Sequence, residues 1–171
     1  MAETINKSGL LCLQVLFAQV RSNVNFNALL TDELLEKYSD NPLDTLLEMA
    51  AAQELRPEAH DDLCEMAKSY SGPALLGLKE NKWVLIQNIQ QLNGDGGVVI
   101  VDPLYKEPTK LITVPIKQLL ERSNNESIIF RNLQDIDIEQ QSALFCFCSI
   151  AKHHHVKINI RRIVHEHAID D

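Results

Sequence analysis

Gly72-Pro73-Ala74-Leu75-Leu76-Gly77-Leu78-Lys79-Glu80-Asn81-Lys82-Trp83-Val84-Leu85-Ile86 marks the point at which the chain changes texture. Upstream, apolar residues recur at three- and four-residue intervals, as amphipathic helices require. From Pro73 onward they come as short runs rich in Val, Ile and Leu, punctuated by turn residues, as strands do. The upstream part predicts a largely buried helix over 8–20 and two more over Asn27–Tyr38 and Leu43–Gln53. Asn41-Pro42 separates these two, a proline being suited to a helix start. A link containing Pro57 then leads to a small helix over Asp61–Lys68. The downstream part predicts strands over Ala74–Leu78, Trp83–Ile89, Val98–Val101 and Leu111–Val114, a short helix over Pro115–Arg122 and a last edge strand over Ser127–Phe130. Asn93-Gly94-Asp95-Gly96-Gly97 reads as a hairpin turn whose glycines supply positive φ. It is not a phosphate loop, because no Gly-Lys-Ser/Thr follows and a strand comes next. Helices first and an antiparallel sheet second make an α+β order.

The charge is uneven. The last 33 of the 171 residues carry four Lys/Arg against four Asp/Glu, so the whole net charge of −8 falls on residues 1–138. An acidic body of this kind repels nucleic acid and anionic lipid and argues against both as partners. Cysteines at 12, 64, 146 and 148 show no paired CxxC spacing and no disulfide framework, which points to a reducing compartment. The apolar run Gly9–Val20 has the length of a signal-peptide core, with Lys7 before it. Glu3, the interruptions at Gln14 and Gln19 and the lack of a small-x-small cleavage site speak against that reading. The run is also too short to span a bilayer.

Ser8–Leu30 and Ser142–Val164 superpose without a gap at a separation of 134 positions. Ser8 pairs with Ser142, Leu10 with Leu144, Cys12 with Cys146 and Asn25 with Asn159, and Leu13/Phe147, Leu16/Ile150, Val24/Ile158, Phe26/Ile160 and Leu29/Ile163 stay apolar. Two amphipathic helices can share such a pattern by chance, but a register unbroken through the polar Asn favours duplication. The expected organisation is therefore one domain over 1–134, then an acidic connector and the helical start of a second, partial copy over 135–171. A lone copy of the first helix has no sheet of its own to cover, so 142–154 is expected to dock on the first domain or on a neighbouring chain and give an oligomer.

Ser8-Gly9-Leu10-Leu11-Cys12-Leu13, Gly72-Pro73-Ala74-Leu75-Leu76, Lys82-Trp83-Val84-Leu85-Ile86 and Val99-Ile100-Val101-Asp102-Pro103 occur in the order and rough spacing of the bacteriocin-processing, double-glycine cysteine-peptidase domain found at the N-terminus of certain ABC exporters. The resemblance covers roughly residues 5–132. It implies a papain-like α+β fold, with N-terminal helices packed on an antiparallel sheet. In active members a Cys opens the first helix, a His begins a strand reading His-aromatic-Val, and an Asp stands in an Asp-Pro pair. A thiolate at a helix N-terminus is stabilised by the dipole, an imidazole takes its proton, and a carboxylate orients the imidazole. The corresponding positions here hold Ser8, Lys82 and Asp102-Pro103, and the stretch Ala2–Lys7 lacks the glutamine that supports an oxyanion in the family.

The pattern is similar to the degenerate peptidase-like domain of type I exporters of RTX toxins. What that resemblance implies is docking of an unfolded secreted polypeptide without cleavage, at the cytoplasmic face of the bacterial inner membrane. The partners would be the exporter's membrane and nucleotide-binding domains, with ATP bound there and no cofactor in this chain. An active double-glycine leader peptidase and an interaction module unrelated to transport are the rival readings.

Among individual residues, Ser8, Lys82 and Asp102 are taken as vestigial, and Trp83 and Leu85 are offered as lining the peptide-binding groove, with a core role for Trp83 as the alternative. A Ser8–Lys82 dyad would require a desolvated Lys, whereas Glu80-Asn81-Lys82 reads as a solvated turn. Cys12, one helical turn beyond Ser8, reads as a small buried hydrophobe. Asp102 either caps a turn before Pro103 or is a triad relic. His153-His154-His155 with His165 and His167 reads as solvated histidines and not as a metal site, since consecutive histidines on a helix do not converge on one ion.

Overall fold

The computed structural model describes residues 6–20, 24–105 and 110–133. The readings made for 134–171, including the second copy, the 142–154 contact and the histidine run, lie outside the described residues. Four helices come first: α1 (Ser8–Val20), α2 (Phe26–Leu29), α3 (Asp32–Asp40) and α4 (Pro42–Ala52). Then come β1 (Pro57–His60), α5 (Leu63–Met66), β2 (Ala74–Leu78), β3 (Lys82–Ile86), β4 (Gly97–Val101), β5 (Leu111–Pro115), α6 (Ile116–Glu121) and β6 (Ser123–Phe130). The strands form one antiparallel sheet in the order β1-β6-β2-β3-β4-β5.

α1 lies along β3. Its Leu10, Leu13, Leu16 and Phe17 are buried, and covering four such side chains contributes roughly 6–12 kcal/mol as an upper estimate. Strand alternation divides the sheet between two cores. Leu75, Trp83, Leu85, Val101, Ile128 and Phe130 face α1, α3 and α4. Leu76, Val84, Ile86, Val98, Ile100 and Ile129 face the other way, toward Leu63 of α5 and Ile116 and Leu119 of α6.

Four expectations are corrected. The helix expected over Asn27–Tyr38 is two, because Thr31 sits in extended backbone and accepts a bond from Leu34 N–H, capping a fresh helix start. β6 is central, not an edge: Pro57–His60, too polar and too rich in breakers to read as a strand, pairs on its outer side. β3 ends at Ile86, and the link to β4 runs through a 3₁₀ turn over Ile89–Asn93 in place of a tight hairpin. None of Gly94, Gly96 and Gly97 has positive φ. Gly97 is needed for closeness instead, since a Cβ there would stand 2.5 Å from Thr113 Cγ2.

Candidate functional site

The N-terminus of α1 meets β3 at Trp83. β4 pairs with β3 only at Leu85 and Ile86, so Trp83 lies beyond the ladder on that side. α1 supplies the missing partners. Ser8 Oγ accepts the Trp83 N–H at 2.8 Å, and one turn later Cys12 Sγ donates to the Trp83 carbonyl at 3.5 Å. Residues i and i+4 share a helix face, which is why a Ser-x-x-x-Cys spacing can hold both polar groups of a single residue. Gly9 permits the approach: a Cβ there would meet Tyr38 Oη at 2.6 Å, Leu46 Cδ1 at 2.9 Å and Trp83 Cδ1 at 3.1 Å.

The first-turn donors of α1 are also engaged. Ser8 N–H donates to Asn6 Oδ1 at 3.0 Å, and Gly9 N–H donates to Tyr38 Oη at 3.2 Å. In an active peptidase such donors and the helix dipole favour an anion. Here a carboxamide and a phenol occupy them. Burial pushes the Cys12 thiol well above its ordinary value, and the nearby charge of Asp102 pushes it further. Burial also raises the Tyr38 phenol to about 12, against the opposing pull of the Gly9 N–H. Cys12 is thus a neutral thiol, and Ser8, fully buried, is an acceptor for backbone.

Lys82 does not join this cluster. Its ammonium donates to Glu80 Oε2 at 3.0 Å on the surface, and that hydrogen bond, with the Lys82 charge, holds the Glu80 carboxyl below its ordinary value. The β3 residue bound by Ser8 and Cys12 is Trp83, and its side chain, with that of Leu85, faces α1, while Lys82 pairs with Glu80 at the surface. The signal was present in the period-two pattern of Lys82-Trp83-Val84-Leu85-Ile86, which puts Trp83 and Leu85 on one face and Val84 and Ile86 on the other. That placement corrects the expectation that Trp83 and Leu85 line a groove. They are 2% and 0% exposed and belong to the core beneath α1. Asp102 caps the turn after β4, its Oδ1 accepting Leu104 N–H at 3.0 Å, and its charge reaches Cys12. Of the expected residues, the fold brings together Ser8, Cys12 and Trp83 with Asp102 nearby.

One surface feature was missed. Leu104 (52% exposed), Tyr105 (49%) and Leu111 (44%) are the exposed large hydrophobics among the described residues, and all three belong to the segment leading from Asp102 into β5. A cleft of about 440 Å³ lies on the opposite face of the sheet, lined by Asp61, Asp62, Leu76 and Leu120 among others. Among the described residues no cluster of His, Cys, Asp and Glu is arranged to hold a metal ion, and no helix is long and apolar enough to cross a membrane.

No family model matches this chain, and no curated protein does. Among solved structures it is similar to the crystal structure of a double-glycine motif protease from an AMS/PCAT transporter in complex with the leader peptide. The TM-score is 0.57 at 18% sequence identity, over 76% of this chain and 86% of that one. The likeness shows the fold: α+β and papain-like, with the peptidase arrangement of N-terminal helices on an antiparallel sheet.

Proposed function

We propose that this chain is a non-catalytic, peptidase-like domain that docks an unfolded secreted polypeptide for a toxin-exporting ABC transporter. In that setting it would stand at the cytoplasmic face of the inner membrane, beside the exporter's membrane-spanning and ATP-binding parts. The observation that carries the reading is the Ser8–Trp83 bond. The group at the position of the family's nucleophile is buried and holds the backbone of the strand that would otherwise present an imidazole. Lys82, at the position of the family's base, pairs with Glu80 at the surface, the first-turn donors of α1 are engaged by Asn6 and Tyr38, and among the described residues neither Ser8 nor Cys12 bonds an activating base. Loss of nucleophile, base and oxyanion donors together costs many orders of magnitude in rate. A solved protein of the same fold binds a leader peptide, and the exposed Leu104, Tyr105 and Leu111 supply an apolar surface for an extended chain here.

Two measurements on the wild-type protein test the proposal. Incubation with a synthetic peptide carrying a Gly-Gly cleavage site, followed by mass spectrometry, should give no product. A labelled, unstructured peptide of alternating valine and threonine with lysine flanks should bind in fluorescence anisotropy. Turnover of the Gly-Gly peptide that disappears in Ser8→Ala would refute the non-catalytic reading, and absence of binding would refute the docking one.

A further inference from the structure

We infer that the outer edge of β5 takes up an extended polypeptide segment as an added strand, through the backbone groups of Leu111 and Thr113. The inference rests on the docking function proposed above and specifies how the docked chain is held.

The direction of each backbone group follows from the ladder. Val99 receives N–H to carbonyl from Gln87 at 3.1 Å and donates its own N–H to Gln91 Oε1 at 2.9 Å. Both of its polar groups therefore point away from β5. In an antiparallel pair, directly opposed residues exchange both hydrogen bonds or neither, in alternation along the strand. Thr113 stands opposite Val99, so its N–H and C=O point outward. Two positions away Leu111, opposite Val101, belongs to the same class. Among the described residues no strand lies on that side, and no hydrogen bond to these four groups is found.

Proteins ordinarily guard such edges. The opposite edge is guarded, because β1 is four residues long and carries Pro57, Glu58 and His60. β5 has five residues, Leu-Ile-Thr-Val-Pro, with no charge and its proline at the far end. Leu111, Thr113 and Pro115 are the exposed residues of its α1-side face, and the exposed Leu104 and Tyr105 precede them. Backbone pairing gives affinity that tolerates many sequences, and alternate side chains of the added strand would lie against Leu111 and its neighbours. The occupant this suits is an extended, unfolded segment with apolar residues at every second position.

Amide exchange by NMR on the wild-type protein, with and without the valine-threonine peptide, is the direct test. Leu111 and Thr113 N–H should exchange freely in the unbound protein and slow by about tenfold or more at saturation. The same peptide N-methylated at every residue should not bind. Thr113→Pro removes an outward N–H while sparing the bonds to β4, a substitution an edge strand accommodates, and should weaken binding about tenfold. Thr113→Val should stay within about twofold of wild type. Binding by the wild type with both amides unprotected, or equal binding of the N-methylated peptide, overturns the inference while leaving docking intact. If Thr113→Pro does not fold, those two measurements on the wild type decide. A wild type that binds no peptide removes the docking function as well. A free protein that is already dimeric, with both amides protected, shows the edge occupied by a second copy and refutes the inference.

Discussion

Replacing Ser8 by alanine separates a structural hydroxyl from a catalytic one. In the folded protein Ser8 Oγ is the acceptor for the buried Trp83 N–H at 2.8 Å, and both residues are excluded from solvent. Alanine removes a single oxygen, so the cavity contribution is small. What remains is a backbone donor stranded without a partner, which costs about 1–3 kcal/mol. For a folded region of this size, a loss of about 2 kcal/mol lowers the thermal midpoint by roughly 6–8 °C. Trp83, the chain's one tryptophan, reports the event, because it is 2% exposed in the native state and its emission shifts to the red on unfolding. Urea titration followed by that emission should show a lower midpoint with an unchanged slope, as expected when stability falls without a change in the surface exposed. Cys12→Ala should cost less, its thiol being a weak donor, and the two changes should couple because both groups bind the same residue. A Ser8→Ala protein within about 0.5 kcal/mol of wild type would mean that the hydroxyl does not hold β3, and the structural account of the site would fall with it.

Gly9→Ala sets helix propensity, which favours alanine by up to about 1 kcal/mol, against overpacking, which costs about 1–3 kcal/mol. With Tyr38 Oη 2.6 Å and Leu46 Cδ1 2.9 Å from the new methyl, packing should win and chemical denaturation should show a net loss. A stabilised variant would contradict the close approach. At alkaline pH the Tyr38 phenol, raised by burial to about 12, and the Tyr70 phenol, raised further by burial, keep their protons in the folded state while unfolded tyrosines lose theirs near pH 10. The unfolded chain then binds fewer protons, so stability is full below pH 10 and falls above it, on the order of 1.4 kcal/mol per pH unit for each tyrosine. Phenolate absorbance should accordingly rise together with unfolding, and titration of both groups near pH 10 in the native protein would count against their burial. Lys82→Met should leave the urea midpoint and peptide binding unchanged, since the ammonium only pairs with exposed Glu80. A loss of binding would return Lys82 to the site.

What was legible in the sequence was whatever a strong local period encodes. The helix expected over 8–20 is observed over Ser8–Val20, and the strand expected over Ala74–Leu78 is observed with the same bounds. Elements defined by their neighbours were harder to read. Pro57–His60 becomes a strand because β6 offers it an edge, and nothing in Pro-Glu-Ala-His announces that. The candidate site was half legible. The positions of Ser8 and Asp102 follow from motif order, but the role of Ser8 depends on the distance between α1 and Trp83, a contact spanning 75 residues that no local pattern encodes. Trp83 could be read as either a core or a groove residue, because an aromatic residue next to a relic site suits both, and the structure puts it in the core. Strand alternation, applied strictly, would have placed it under α1. Leu104 and Tyr105 escaped notice because exposure of a loop residue is set by what packs over it.

The junction between α1 and β3 gives a use in the described domain to each residue that recurs at a separation of 134 positions. A second catalytic site would need a nucleophile, a base and free donors. The identities at a separation of 134 are Ser8, Leu10, Cys12 and Asn25, and each has an architectural use in the described domain. Ser8 and Cys12 bind the two polar groups of Trp83. Leu10 is in the core, and Asn25 caps α2 by accepting Ala28 N–H. Recurrence of these four at Ser142, Leu144, Cys146 and Asn159 is what a second copy of this helix-on-strand junction would require, and none of the four supplies a base. On the proposed non-catalytic reading, selection for the fold alone would keep this residue set, with the hydroxyl and the thiol one turn apart on the backbone they hold.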